Sequence, residues 1–431
     1  MSSITSEPRL EPQSIPWTKS TRWMYIAPSL LVVWIVSMFD KINMGIVMAN
    51  GSFLHEMNLV GKPALLGELT TGLALAYGIF APVWGGIQHR IGPRRVALYA
   101  LALWAIGSVW SGLATSYGSL LASRVLLGAA EAALYPLTLA LVARWFPMQE
   151  RARATAFWWI GTMIGPALAG FLVTGLILWG GWRFQFYMIG GIALIPLAMF
   201  YWLVRDDPRQ HRRVSSQEVA LIEAGAIERQ SGVLSRHLSA DLGQLFRNYR
   251  FWFLVVALVG NNIFWWGWSV WLPTYLHTVR HFTFALSGFL SGAIFAAAVV
   301  TILVMGRISD RMFRRAGPAA LGWLVGAGLL MAAALVPSPT LSVILMALAL
   351  CSQQVGISMG ESLMHSIVRA QDMAVSQGVR SLIMSVVGAL APAIVGVLIG
   401  ASGNFVGAFV LFAVAILVSS GFTGLLAAQG Y

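Results

Sequence analysis

Charge is scarce in this chain. Only 10% of its 431 residues are Asp, Glu, Lys or Arg, against about 25% in an ordinary soluble domain. A soluble protein of this length needs far more charge on its surface, so a soluble enzyme or a disordered binder is excluded. Cysteine is scarcer still. The single thiol, Cys351, cannot form an internal disulfide, which excludes a secreted disulfide scaffold. The scattered histidines and this thiol show no metal-ligand spacing, and no nucleophile–base set stands out. Gly-rich stretches such as Gly326-Ala327-Gly328 are not followed by the Gly-Lys-Ser/Thr of a phosphate loop. No metal, no cofactor and no enzymatic reaction is expected.

Apolar residues are what the chain has in abundance, at 58%. One bilayer crossing takes roughly 20 of them and twelve take roughly 240, close to what the composition supplies. Apolar runs recur at about 24–47, 67–88, 95–114, 118–142, 154–178, 184–204, 250–276, 284–306, 318–337, 340–367, 373–400 and 403–428. These predict an all-α polytopic membrane protein of twelve transmembrane helices. Several runs contain Gly and Pro, which membrane helices tolerate. The first run is too long for a signal-peptide core, so residues 1–23 read as an N-terminal tail.

The net charge of +12 would suggest nucleic acid in a soluble protein. Its distribution suggests otherwise. With both termini cytoplasmic, the inner segments hold 22 of the 28 Lys and Arg, and the outer loops hold only Lys62, Arg183 and Arg280. The positive-inside rule selects this orientation. The basicity then belongs to the inner loops, and no nucleic-acid partner is expected. Six charges remain inside the spans and balance: Asp40, Lys41, Arg124, Glu131, Glu361 and Arg380.

The longest polar stretch, 205–249, divides the chain into six-span halves, 24–204 and 250–431. Within it, Ser215-Ser216-Gln217-Glu218 has the form of a capping box, predicting a short amphipathic helix on the membrane surface. The halves also repeat a motif. Gly85 is followed by His89, Arg90 and then Arg94-Arg95. Gly306 is followed by Asp310, Arg311 and then Arg314-Arg315. Duplicated halves are a route to transporters with a site at their interface.

This pattern resembles the loop signature of the major facilitator superfamily, along essentially the whole chain. The resemblance implies that superfamily's two-bundle fold, in which Gly allows close helix approach and the charged residues lock neighbouring helix ends. His89 stands where Asp is usual, so the first lock is expected to be weaker.

Ionisable groups within spans are functional candidates. Asp40 and Lys41 lie roughly 12 Å and Arg124 roughly 9 Å below the outer surface at 1.5 Å per residue, so they can meet. Glu131, seven residues after Arg124, shares its helix face, about 10 Å away. Cationic groups along a cavity attract an anion, and a carboxylate near the midplane can pick up a proton. The alternative is a set of static salt bridges joining spans one and four.

Phe39-Asp40-Lys41-Ile42-Asn43, the run from Arg124 to Glu131 and on to Tyr135-Pro136, and Trp271-Leu272-Pro273-Thr274-Tyr275 look like the anion:cation symporter family. The resemblance implies proton-coupled uptake of an organic anion across the plasma membrane, the inner membrane in bacteria. It puts Asp40 and Glu131 in proton handling, and Lys41 and Arg124 in anion handling. The family usually has Arg at position 41, and Lys loses bidentate recognition. Tyr77 matches a cavity tyrosine of the sugar-acid members. Where Arg380-Ser381 stands, many members have Gln-Asn, with the Asn on the sugar acid. That departure counts against a polyol substrate, and Arg380 with the tryptophans leans the reading toward an aromatic or dicarboxylic acid, with a hexonate or hexuronate as the alternative.

Arg380 is open to two roles, a second anion anchor or an ion pair with Glu361. Asn261 and Asn262 either line the cavity or join helices. Tryptophans of span seven, Trp265, Trp266, Trp268 and Trp271, are packing residues or a stacking wall. The run from Gly161 to Gly170, with Gly165-Pro166, resembles a motif of drug/proton antiporters and keeps efflux of an amphipathic compound open. A monomer in the lipid bilayer is expected.

Overall fold

The computed structural model describes residues 20–230, 246–309, 312, 314–369 and 372–431. Eleven helices among them are long and apolar enough to cross a membrane. One of these, Met148–Leu203, has 56 residues. At 1.5 Å per residue it would extend about 84 Å, against a hydrocarbon core of about 30 Å. It turns at Gly181, where φ is 84°, a conformation that only glycine adopts without a Cβ clash. Read as two helices, it supplies spans five and six and gives twelve crossings.

The others are span one (Ala27–Val47), two (Pro63–Ile91), three (Pro93–Leu113), seven (Tyr249–Thr278), eight (Phe284–Ser309), nine (Ala316–Leu335), ten (Pro339–Ile367), eleven (Met373–Ser402) and twelve (Val406–Ala427). Span four is interrupted, running as Tyr117–Glu131 and Leu134–Trp145. Pro136 has no N–H for the carbonyl of Ala132. The backbone tightens there, and the Ala133 N–H bonds Ala130 O at 3.3 Å. The carbonyl of Ala129 is thereby released, and Trp84 Nε1 of span two donates to it at 2.7 Å. The break falls directly after Glu131.

Spans one to six pack mainly on each other, as do seven to twelve. Between the two sets, span two lies along eleven, five along eight, and one along seven. These crossings sit at the end of the molecule away from the linker. A Cβ on Gly67 would lie 2.3 Å from Pro392 O, and one on Gly170 would lie 2.4 Å from the Cα of Gly292. Small residues let the backbones touch there. Tyr135 and Glu361, nearer the linker end, are each about 40% exposed.

The linker contains the helix Ser216–Gln230, and Ser215 Oγ accepts from the Glu218 N–H at 3.2 Å as an N-cap. The Glu218 carboxylate does not close the capping box. It is buried, and accepts from Ser20 Oγ at 2.8 Å and from the backbone N–H groups of Thr21 and Arg22. It also pairs with Arg22 NH1 at 2.8 Å. Arg22 is itself fully buried and reaches Glu150 with Nε at 2.9 Å. The start of this helix is therefore tied to the residues before span one and to the start of span five. The rest of the linker up to residue 245 lies outside the described residues.

Candidate functional site

The interior charges of the first half form two pairs, each joining neighbouring residues of span one to span four. Lys41 Nζ lies 2.5 Å from Glu131 Oε2. Ser37, one turn before Lys41, accepts from its Nζ and donates to the same Glu131 oxygen at 3.0 Å. Asp40 Oδ1 lies 3.7 Å from Arg124 NH1, and Arg124 NH2 donates to the Asp40 carbonyl at 2.8 Å. Arg124 and Glu131 share a helix face as expected, yet each takes its partner from span one.

The two pairs differ in kind. Asp40 and Arg124 are both fully buried. Three further donors reach the Asp40 carboxylate: Asn43 Nδ2 at 3.0 Å, Ser108 Oγ at 2.8 Å, and Trp104 Nε1. Together these donors hold the Asp40 carboxylate in one place. Glu131 is also fully buried, but its Oε1 has no hydrogen-bond partner among the described residues. Its ion-pair partner is Lys41, a flexible point charge that remains 7% exposed.

Aromatic rings surround Lys41. Its Nζ lies 5.1 Å from the centre of the Tyr77 ring and 5.7 Å from that of Trp34, within cation–π range. Trp34 stacks on Trp158 at 4.9 Å and meets Tyr135 edge-on at 6.5 Å. Tyr77, a candidate from the sequence, thus lies beside Lys41. Ser37, Trp34, Trp104 and Ser108 were missed. The i, i+4 spacing of Ser37 to Lys41, and of Trp104 to Ser108, was the available signal, since it puts each pair on one helix face.

Arg380 and Glu361 meet in the second half, with Arg380 NH1 2.5 Å from both carboxylate oxygens. Asn262 resolves toward helix joining: its Nδ2 donates to Met384 O of span eleven at 2.6 Å. Asn261 is buried. Trp268 packs among Phe264, Phe409 and Phe412, and Trp271 donates to Pro392 O at 3.0 Å. These two are taken up in packing. Gly161 and Gly165 lie against span one, where added Cβ atoms would meet Leu31 O and Met38. The motif of span five thus has a packing reason.

The motif expected in the loop after span two lies instead in the last turns of that helix, which runs on to Ile91; there His89 and Arg90 are exposed and Gly85 is partly buried. The lock in this copy belongs to Arg94, whose backbone N–H donates to Asp206 Oδ1 at 2.8 Å and whose NH2 donates to Tyr201 O at 2.7 Å. In the second copy Gly306 lies within span eight, while Asp310 and Arg311 lie outside the described residues.

Twelve crossings in two packed sets, with paired charges in the interior, define a polytopic transporter fold rather than an enzyme. The chain belongs to the Major Facilitator Superfamily, whose pattern matches residues 29–371. Solved structures share the fold. A bacterial homolog of the human lysosomal transporter Spinster, inward-facing and occupied, is similar with a TM-score of 0.76 at 17% identity, over 97% of this chain and 98% of that one. The D-xylose-proton symporter is similar with a TM-score of 0.73 at 14% identity, over 92% and 96%.

Relatives by sequence carry names of anion transporters. The probable L-galactonate transporter of Escherichia coli is 26% identical, over 64% of this chain and 59% of its own length. The probable galactarate/D-glucarate transporter GudP of Escherichia coli is 24% identical over 83% of each chain. The hexuronate transporter of Escherichia coli is 27% identical, over 54% of this chain and 52% of its own. The chain thus matches less than two thirds of the length of the first and third of these.

Proposed function

We propose that the chain is a proton-coupled symporter of small organic carboxylates, with sugar acids as its substrate class. The observation that carries the reading is the Lys41–Glu131 pair. A buried carboxylate with one unpartnered oxygen has room for a proton there. Protonation removes the counter-charge of Lys41 and leaves a cation, ringed by Trp34 and Tyr77, for a substrate carboxylate to meet. Proton and anion then depend on each other through one side chain. Asp40 and Arg124 hold span one against span four and fix the position of Lys41, next to Asp40 in sequence.

The substrate class rests on the relatives' names, which favour galactonate, glucarate and hexuronate. Part of the support for an aromatic acid falls away, because Trp268 and Trp271 are packed into the second half.

The halves 24–204 and 250–431 are proposed to rock about the site, with both termini in the cytoplasm. The contacts that close the far end then close the outer face, and the cavity faces inward. Uptake into proteoliposomes across sugar acids, aromatic acids and plain dicarboxylates, driven by an imposed proton gradient, tests the proposal. Gradient-driven accumulation of a sugar acid is expected. Accumulation of aromatic acids alone, or uptake indifferent to the gradient, contradicts it.

A further inference from the structure

Span eleven carries a proline where it lies against span two. Pro392 sits inside Met373–Ser402. It has no N–H for the carbonyl of Gly388, and its ring crowds that carbonyl. In a membrane helix, backbone groups loosened in this way are taken up by neighbouring side chains. Two such neighbours stand here. Trp271 of span seven donates Nε1 to Pro392 O at 3.0 Å. Thr71 of span two, in the other half, accepts the Ala393 N–H on its Oγ1 at 3.2 Å. Among the described residues at the end away from the linker, this is the hydrogen bond that joins the halves.

The surrounding contact brings that bond into reach. Pro63, Gly67 and Thr71 recur every fourth residue along one face of span two. An added Cβ on Gly396 would meet Pro63 O, and one on Gly67 would meet Pro392 O. The two backbones therefore touch along this face up to Thr71. The crossing of spans five and eight shows the same packing without a proline. Thr174 is fully buried there, and an added Cβ on Gly288 would meet its Oγ1. That oxygen has no hydrogen-bond partner among the described residues. Span eight contains no proline, so its N–H groups are used within the helix. Small residues bring helices close, and a directional hydrogen bond also fixes their register. The helix held in this way reaches the interior charges as well. Tyr77, whose ring flanks Lys41, follows Thr71 by about 9 Å along span two.

We infer that Thr71 is the positioning residue of the outer closure. Its Oγ1 holds the Ala393 N–H, with Trp271 bracing Pro392, and so sets the balance between a closed and an open outer end. The inference rests on the rocking of the halves proposed above, and not on the substrate class. A hydrogen bond of ordinary net strength biases such a balance about fivefold. The test counts closed and open outer ends of the purified full chain by single-molecule energy transfer. Dyes are carried on Thr115→Cys and Thr340→Cys, exposed positions at the outer ends of the two halves, with Cys351→Ser in the background. Thr71→Val keeps the branched shape but removes the acceptor, and should raise the open-to-closed ratio about fivefold. Thr71→Ser keeps the oxygen and should stay near the native ratio. Trp271→Phe keeps a ring but releases Pro392 O, and should raise the ratio severalfold, which keeps the test decisive if Thr71→Val fails to fold. An unchanged ratio in Thr71→Val or in Trp271→Phe overturns the inference. So does Thr71→Ser raising the ratio as far as Thr71→Val, since packing and not the oxygen would then set the balance. A native chain whose outer end never opens, with or without a sugar acid, contradicts the rocking of the halves and overturns both.

Discussion

Lys41 Nζ and Glu131 Oε2 stand 2.5 Å apart, with Ser37 hydrogen-bonded to both. The adjacent residue, Asp40, pairs with Arg124 one helical stretch earlier on span four. Two consecutive residues of span one thus meet two charges of span four, and only one of the pairs leaves a carboxylate oxygen unpartnered. In the proposed mechanism that asymmetry makes Lys41–Glu131 the coupling pair and Asp40–Arg124 the structural one.

The structural pair should behave as one in unfolding. Arg124→Ala leaves Asp40 buried without its cation, which costs about 3–5 kcal/mol. Replacing both, as Asp40→Asn with Arg124→Gln, should recover most of the loss, because no charge is left uncompensated. Thermal unfolding in detergent measures both. Recovery of no stability in the double variant would show that the two residues act separately.

The break in span four depends on a contact from span two. Trp84→Phe removes the donor to Ala129 O while keeping an aromatic ring. A part-buried carbonyl left without a partner costs about 1 kcal/mol. A matching fall in unfolding temperature, with weaker proton coupling as Glu131 loses its fixed position, is expected. A variant indistinguishable from the native chain in both would remove Trp84 from the account.

Glu218 latches the linker to the residues before span one. Glu218→Ala strips fully buried Arg22 of one of its two carboxylates and should cost about 3–5 kcal/mol of local docking. Limited proteolysis of the native chain and the variant reads this directly. Cleavage within 205–230 should accelerate in the variant, and equal rates would contradict the latch.

The same linker should loosen in acid. Burial, with Arg205 and Arg213 nearby, holds the His211 imidazole below its ordinary value. Its ring lies edge-on to Trp145 at 5.6 Å. The folded linker therefore favours neutral His211. The contribution is present above about pH 6.5, the ordinary value, and is lost as pH falls through that value toward the depressed one. Protease protection of the linker should decline from pH 7.5 to pH 5, and His211→Gln should flatten the decline.

Much of the fold was legible because membrane spans are written in apolar runs. Even the fifth and sixth spans, one helix of 56 residues turned at Gly181, were read as separate apolar runs, 154–178 and 184–204. The six interior charges were legible for the same reason, as the exceptions in those runs. Their partners were not. Helical spacing says that Arg124 and Glu131 share a face, but not which neighbour that face meets. Pro136 also ends the regular helix right after Glu131, which the seven-residue spacing alone does not reveal. The capping box at Ser215 formed only in half, because Arg22 and two backbone N–H groups offered Glu218 better donors than the N-cap backbone. The tryptophans of span seven stayed open between packing and a stacking wall, because composition cannot separate the two; Trp268 and Trp271 resolve toward packing.

Glu131→Gln tests the central claim most directly, because it keeps the size and a hydrogen bond to Lys41 while removing the titratable group. In proteoliposomes with an imposed proton gradient, the variant should exchange labelled for unlabelled sugar acid across the membrane but fail to accumulate it. Accumulation equal to the native chain would show that the Lys41–Glu131 pair is not where protons and substrate are coupled.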